Sequence, residues 1–596
     1  MSAVHGKVLE IDLESKTYRE MSVEEELYRE YLGGSSLACR LTAQRLAEAK
    51  DPYSPGNVLT FMTGPFNGSR LTSTGRHAIT ALSPLTGYWG EATGGGLLAQ
   101  NLKGCGYDGV LISGKAASPL YLYLHEEGVE FRDAGHLWGL DTYETFDRIQ
   151  GETEKRAQVA AIGPGGENRV RYACVLRSGG GVSGRCGMGA VMGDKKLKAV
   201  AFRGTKLPPL ANEAVFDFVA GEIYQEVEQR GDFLREYGTL GYIDVGMYFG
   251  DVPDRYFTSG VFPVEEVAAS TLRQKYFVKA QACCPCAISC KRKTRMPELN
   301  LEMEGPEYES AVALGPLCGV YDLEIINQAN HLCNRYGLDT ISAGVSLAFA
   351  AYLLEEGLLQ AKDLGFSFSF GDTAGLLRLL EAIAHQKEEG RLLGEGVKRM
   401  AEKLQVAPGL AAHVKGLEIP MHEPRAFEGL ALSYATGSRG ACHQRGDFYM
   451  VELGQVEQPE SMGLQPGDRF DLKGRVRQVV TWQDYREVFN SLVMCNYASL
   501  PVDMLANLLM AATGKEWTPD QVMQVGQNSS DIKRELNCNL GLKLSEDNLP
   551  SIVTRALPEG GAAEKELDLQ DLLQDYYRER RWDPETGRPQ KVTFND

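Results

Sequence analysis

Four thiols crowd into eight residues of this chain, Cys283-Cys284-Pro285-Cys286-Ala287-Ile288-Ser289-Cys290. Taken as Cys283, Cys286 and Cys290, they give the spacing CxxCxxxC. Three thiolates so placed can wrap three corners of a cubane iron–sulfur cluster, with a fourth ligand from elsewhere in the chain. The spacing is the reverse of the CxxxCxxC of radical enzymes, which disfavours that chemistry. Zinc is the alternative on spacing alone, although it wants four Cys or His ligands, commonly as two pairs, and no His stands nearby. Buried free thiols are a lesser alternative. Cys284 is then surplus, or the register is shifted by one. Most of the other cysteines among the thirteen are scattered singly. They are too sparse, and odd in number, for a disulfide scaffold, so clustered thiols point to metal or redox chemistry.

Glycine gathers in three places: Gly94-Gly95-Gly96, Gly163 to Gly166, and Gly179 to Gly193. Backbone N–H groups in such turns can cradle phosphates. None fits a Walker A pattern, and Gly187-Met188-Gly189 lacks the third glycine of a dinucleotide fingerprint, so a nucleotide-binding Rossmann reading is weak. Read as residues alone, these are ordinary turns of a β-rich region. His443 is likewise one of nine histidines, in a Gly-rich loop, and Glu307 is a carboxylate with Glu309 beside it.

These residues need a scaffold, and the sequence predicts two kinds. Up to about residue 210 the chain reads as β-rich. Lys7 to Leu13, Gly109 to Ser113 and Leu120 to Leu124 are short, apolar or alternating runs bounded by Gly, Ser and Pro. A Pro-Pro pair near Leu207 to Asn212 breaks the pattern, and helical periods follow. Asp322 is the predicted N-cap of a helix closed by Gly337, a second helix runs from Asp339 to about Glu355, and Thr373 to Lys403 repeats the helical signature. A Pro/Gly break near Ala407 to Gly409 divides this half near residue 415. Leu567 to Tyr577 reads as a docking helix, with a polar, loose tail after it. The expected fold class is α+β and multidomain: a β-rich domain over 1–210, then two mostly α-helical domains over 211–415 and 416–596, with the site at their interface.

The 596 residues are 43% apolar and 24% charged, which suits three or four globular domains and argues against disorder. A net charge of −18 makes nucleic acid and anionic membrane poor partners and suits a partner carrying a basic patch. Met1 to Leu13 has no apolar run of a signal peptide. The longest apolar stretch, about Ile341 to Leu354, is shorter than the ~18 residues of a membrane span. A cytoplasmic protein is expected.

The features fall in one order: Thr72-Ser73-Thr74-Gly75-Arg76, Ser83-Pro84-Leu85-Thr86-Gly87, the run Gly184 to Gly193, the cysteine triplet, Glu304-Gly305-Pro306-Glu307-Tyr308-Glu309, Gly337-Leu338-Asp339-Thr340, Arg439-Gly440-Ala441-Cys442-His443 and Cys495. Over nearly its whole length the chain resembles the tungsten-containing aldehyde:ferredoxin oxidoreductase family. The resemblance implies a tungsten bis-pterin cofactor (molybdenum being the alternative metal) held by pterin dithiolenes, with a 4Fe–4S cluster nearby and magnesium bridging the pterin phosphates. Cys283, Cys286 and Cys290 match the clustered ligands and Cys495 the distant fourth. Arg76 matches an arginine between cluster and pterin. Thr93, Gly94 and Gly95, with Arg185, Gly187 and Gly189, match segments approaching the phosphates and magnesium; Thr93 stands where the family has an amide. Asp339 matches a pterin-binding aspartate and is also a plausible N-cap. Asn490 stands where the family has a second aspartate. Glu307 and His443 match the acid–base pair, with Glu309 the rival should the register differ.

The function so implied is oxidation of an aldehyde and water to a carboxylic acid, with electrons leaving through the cluster to a ferredoxin or an iron–sulfur subunit, in a homo- or hetero-oligomer. The alternatives are an aromatic acyl-CoA reductase of the same superfamily and, from another class, a non-catalytic iron–sulfur electron carrier.

Overall fold

Short apolar runs in the first two hundred residues build two six-stranded sheets. In the computed structural model, which describes all residues except 298, 299, 457, 458, 591 and 593–596, the first sheet has the order β2-β1-β6-β3-β4-β5. Its strands are β1 (Lys7–Asp12), β2 (Thr17–Ser22), β3 (Leu59–Met62), β4 (Arg76–Leu82), β5 (Trp89–Gly95) and β6 (Gly109–Ser113). The second has the order β11-β10-β9-β12-β7-β8. It comprises β7 (Leu120–His125), β8 (Gly128–Asp133), β9 (Gln158–Ala161), β10 (Val175–Arg177), β11 (Val182–Ser183) and β12 (Leu197–Arg203). Each sheet is mixed: β1 runs parallel to β6 and β7 parallel to β12, all other neighbours being antiparallel.

Beyond Arg203 the chain is mostly helical, as the periodicity predicts. Asp322 accepts from the Glu324 N–H and starts the helix Leu323–Tyr336, which ends at Gly337 with φ 72°. A left-handed conformation at that position suits glycine, which has no Cβ to strain. Asp339 then caps Thr340–Glu355, accepting from the Ile341 N–H. Residues 341–353 of this helix are all buried, which is why its apolar residues surround it instead of forming a stripe. Val476–Leu492 and Pro519–Asn539 form the other long pair, the second opened by a Thr518/Gln521 capping box. The last helix spans Gln570–Arg580, and the end of the polar tail expected after it lies outside the described residues.

One departure matters for the site. Within the helical half, β13 (Phe277–Gln281), β14 (Lys291–Met296) and β15 (Leu301–Glu304) make an antiparallel three-stranded sheet, and the cysteine cluster is the loop between β13 and β14. Lysine and arginine on β14 masked the alternation there. The β-rich and helical parts are bound through buried polar contacts: the Lys533 ammonium lies 2.8 Å from Glu91 and 2.6 Å from Glu487, and bonds Ser35 Oγ at 3.0 Å. An ion group buried with all its partners present is tolerated, whereas removing one partner leaves an uncompensated charge. Among the described residues no helix is long and apolar enough to cross a membrane.

Candidate functional site

The cysteine loop is not free-standing; the turn before β4 holds it. Ser73 donates its N–H to the Pro285 carbonyl at 2.9 Å, and Thr72 Oγ1 accepts from the Ala287 N–H at 2.9 Å. The Ser73 carbonyl accepts from the Cys495 N–H at 2.9 Å. Two residues of the β-rich part, through three hydrogen bonds, therefore align the clustered cysteines with one that follows them by two hundred positions. Gly75 lets the loop sit this close, because a Cβ there would run into the Cys284 carbonyl oxygen; a Cβ on Gly95 would strike Cys283 Sγ. Gly75→Ala should therefore displace the loop and lower iron bound per chain severalfold, while the melting of the β-rich part changes little. Iron assay beside a thermal melt checks this.

Cys283, Cys286, Cys290 and Cys495 all line one cavity of about 310 Å³. Burial raises the pKa of Cys286 and Cys290; for Cys286 the nearby thiols of Cys495 and Cys283 add to it, and for Cys290 Glu307 adds first and the other three thiols after it. Thiolates gathered here need a cation or metal to offset their mutual repulsion. Among the described residues no three His, Cys, Asp or Glu side chains are grouped as a site for a single metal ion. Four such thiols are the donor set of a cubane cluster. Cys284 is exposed and does not line the cavity.

Next to the thiols the lining turns cationic. Arg76 opens β4 and donates from Nη2 to Thr93 Oγ1 on β5 at 2.9 Å. Strand alternation decides which neighbours reach the cavity: Arg76 pairs with Gly95 and Ala78 with Thr93 on one face, while His77 and Gly94 pair on the other. Thr93 and Gly95 line the cavity, and Gly94 instead makes room for His77 and Ser183. Arg185 Nε lies 3.3 Å from the Asp339 carboxylate and Nη2 donates to the Glu418 carbonyl, while Nη1 has no hydrogen-bond partner and neither has Arg439 Nε. Buried guanidinium N–H groups left open toward a cavity are donors for an anionic ligand. This fits a phosphate-bearing pterin. Asp339 caps its helix, as expected, and lines the cavity.

Besides Gly94, three more sequence-predicted residues stand back. Cβ atoms on Gly187 and Gly189 would collide with the Arg171 and Cys174 carbonyls, so these glycines bring the Arg185 turn close to the second sheet rather than touching the cavity. Asn490 is buried in Val476–Leu492 and donates to Glu487 at 3.2 Å, inside the Lys533 network.

The acid–base geometry separates the two glutamates. Glu307 precedes the helix Tyr308–Leu314, accepts from Thr239 Oγ1 at 2.6 Å and lies toward Cys290. Glu309, two residues further and inside the first turn of that helix, accepts from the Met421 N–H at 2.8 Å through Oε2 and brings Oε1 to 3.2 Å from His443 Nδ1. Glu309 is therefore the carboxylate that comes within 3.2 Å of His443, although neither its Oε1 nor His443 Nδ1 completes a hydrogen bond. Burial raises both carboxyls, Glu309 to about 7. Burial and then the His422 and arginine charges hold His443 well below its usual value, so its imidazole is neutral at neutral pH.

Sequence reasoning missed the group behind this pair. His422 Nδ1 lies 2.6 Å from buried Asp251, its Nε2 lies 3.8 Å from Glu309 Oε1, and its ring stacks on Tyr449 at 4.5 Å between centroids. Burial opposes charge on His422, but Asp251 outweighs it and the pKa is raised. Arg177 was missed too; its guanidinium donates to the Gly95, Ser178 and Gly180 carbonyls and ties the two glycine turns together. Nothing in the spacing of 177, 251 or 422 announces either grouping.

A cavity that sets donors for a polyanion against a thiol set, closed over by three parts of the chain, is how an oxidoreductase keeps a redox group out of water. Comparison with known proteins makes this specific. The sequence model "Aldehyde ferredoxin oxidoreductase, N-terminal domain" matches residues 8–204, and "Aldehyde ferredoxin oxidoreductase, domains 2 & 3" matches residues 219–596. The chain is 36% identical over 600 residues to the tungsten-containing aldehyde ferredoxin oxidoreductase of Pyrococcus abyssi, covering 98% of this chain and 97% of that one. It is 35% identical to the Pyrococcus furiosus protein of the same name, over 97% and 96% of the two. Among solved structures, the active site complex BamBC of benzoyl coenzyme A reductase superposes with a TM-score of 0.86 at 24% identity, over 98% of this chain and 96% of that one, a likeness of fold. The chain belongs to the aldehyde ferredoxin oxidoreductase family.

Proposed function

We propose that this chain is the catalytic subunit of a tungsten–pterin oxidoreductase that converts an aldehyde and water to a carboxylic acid, two protons and two electrons. The observation that carries this is the approach of Glu309 Oε1 to His443 Nδ1, 3.2 Å, in the same cavity as four thiols and the unpartnered Nη1 of Arg185. Family membership and identity along the whole chain to aldehyde-oxidising relatives support it over the acyl-CoA reading, for which the likeness is one of fold.

In this reading Cys283, Cys286, Cys290 and Cys495 hold a 4Fe–4S cluster. Arg76, Thr93, Gly95, Arg185 and Asp339 hold the pterin and its phosphate–magnesium group, while Gly94, Gly187 and Gly189 let the surrounding turns pack closely and Asn490 stays in the buried Lys533 network behind them. When bound, the tungsten pterin supplies the acceptor for the electron pair, and the cluster the route by which electrons leave singly. The protein's part is proton handling. Glu309, ionising near neutrality, takes a proton from the water that adds to the carbonyl carbon. His443, neutral and held beside it, offers an N–H to the carbonyl oxygen as charge develops there. Asp251 fixes His422 by its Nδ1, so that its other nitrogen faces Glu309 and steadies the carboxylate as it gains and loses its proton.

Metal analysis of the purified protein, with turnover of an aldehyde panel against a viologen dye, tests this. Tungsten, iron and carboxylate product are expected. Iron without tungsten and no aldehyde turnover would leave an electron carrier, and turnover of an aromatic acyl-CoA thioester but of no aldehyde would leave the reductase.

A further inference from the structure

The chain is acidic overall, but around the cysteine loop the sign reverses. Residues 271–297 contain seven Lys and Arg and no Asp or Glu, in a protein of net charge −18. On the outward face of the three-stranded sheet, Lys279 of β13 stands directly opposite Lys293 of β14. Like charges placed opposite one another across a strand pair are destabilising. Lysine on an edge strand can also deter strand addition, which would account for Lys279 but not for Lys293, on the central strand. The side chains of Lys275, Lys279 and Lys293 make no ion pair or hydrogen bond among the described residues, while the nearby acidic groups are partly taken: Glu302, which attracts Lys293 and Lys279 at longer range, pairs with Arg295, and Glu236 lies 4.0 Å from Arg273. Glu304 faces Lys293 across the other strand pair but turns into the cavity lining. Counted along the strands at about 3.4 Å per residue, Lys279 and Lys293 stand about 10–14 Å from Cys283 and Cys290. Exposed Cys284 marks the loop itself as surface.

We propose that this basic face of β13 and β14 is the docking surface for a small acidic iron–sulfur electron carrier. The inference rests on the reading that electrons leave through a cluster held by the thiols. Each aldehyde oxidised releases two electrons, so two oxidised carriers dock in turn and each leaves reduced by one; the two protons are released to water and none is transferred with the electrons. Basic groups flanking the exit steer an acidic carrier to the place where the transfer path is shortest, which acts on the association rate more than on the chemistry. Because these lysines are exposed or half-buried, the attraction is screened by salt.

The test uses the metal-replete enzyme, an aldehyde substrate, and two acceptors in parallel: an acidic 4Fe–4S ferredoxin and a small viologen dye. The double reversal Lys279→Glu/Lys293→Glu should lower kcat/KM for the ferredoxin at least tenfold and flatten its salt dependence, with dye turnover and metal content unchanged. A control pair of the same charge change, Lys362→Glu/Lys473→Glu, at exposed sites on other elements, should leave ferredoxin reduction unaltered. Should the double reversal also disturb the cluster, the milder Lys279→Gln/Lys293→Gln pair decides, with about a threefold loss expected toward ferredoxin alone. The proposal is overturned if ferredoxin kinetics and their salt dependence survive reversal, or if reversal instead changes the oligomeric state in sedimentation, which would assign the face to a second copy of the chain. Failure of the unmodified enzyme to reduce the ferredoxin while it reduces the dye would count against the carrier itself, a separate result.

Discussion

Glu309→Gln should lower aldehyde turnover by about 10²–10⁴-fold, the usual worth of a general acid–base group, or about 3–5 kcal/mol of transition-state stabilisation. The substitution keeps the shape and an oxygen to accept from the Met421 N–H, so tungsten and iron content should not change. The pH profile separates loss of a base from loss of packing. With its pKa raised by burial to about 7, Glu309 is protonated below that value and ionised above it. The base form is the ionised one, so turnover of the unmodified enzyme rises as pH rises through about 7, and the variant loses that limb. Glu307→Gln weakens a hydrogen bond with Thr239, 2.6 Å away, and should cost less than tenfold with the limb intact. A metal-replete Glu309→Gln enzyme of normal activity, beside an inactive Glu307→Gln, would return the base to Glu307.

The second large effect belongs to Cys495. Cys495→Ala should abolish the cubane or convert it to a smaller cluster, with loss of its visible absorption, of iron and of dye-linked turnover, because a cubane takes one thiolate at each of its four iron corners. Cys284→Ala should leave iron and activity as they were, since that thiol is exposed and outside the cavity. The contrast also tests the register within the loop: loss of iron in the Cys284 variant but not in Cys283→Ala would shift the ligand set by one residue. The Ser73 carbonyl fixes the Cys495 N–H whatever the side chain is, so the variant should keep the backbone of the site.

Much of this was legible along the chain. The spacing of Cys283, Cys286 and Cys290 is local, and so are the caps at Asp322 and Asp339 and the strands at Lys7–Asp12 and Gly109–Ser113, because helix, strand and loop signals are written in neighbouring residues. Local spacing also left alternatives that it had no means to close. Glu307 and Glu309 lie two residues apart in one motif and look equivalent; only packing against the Met421 backbone and His443, each more than a hundred residues away, distinguishes them. Gly94 reads like Gly95, yet the pleat sends one to His77 and the other to Cys283. His422 gave no signal, since its meaning comes from Asp251 on one side and Glu309 on the other. Sequence determined the spacing of the clustered thiols, the local elements and the family. Tertiary structure decided which carboxylate lies beside the imidazole and which thiols line one cavity, because those depend on distances between segments far apart in the chain, and burial then sets the charges of the groups brought together.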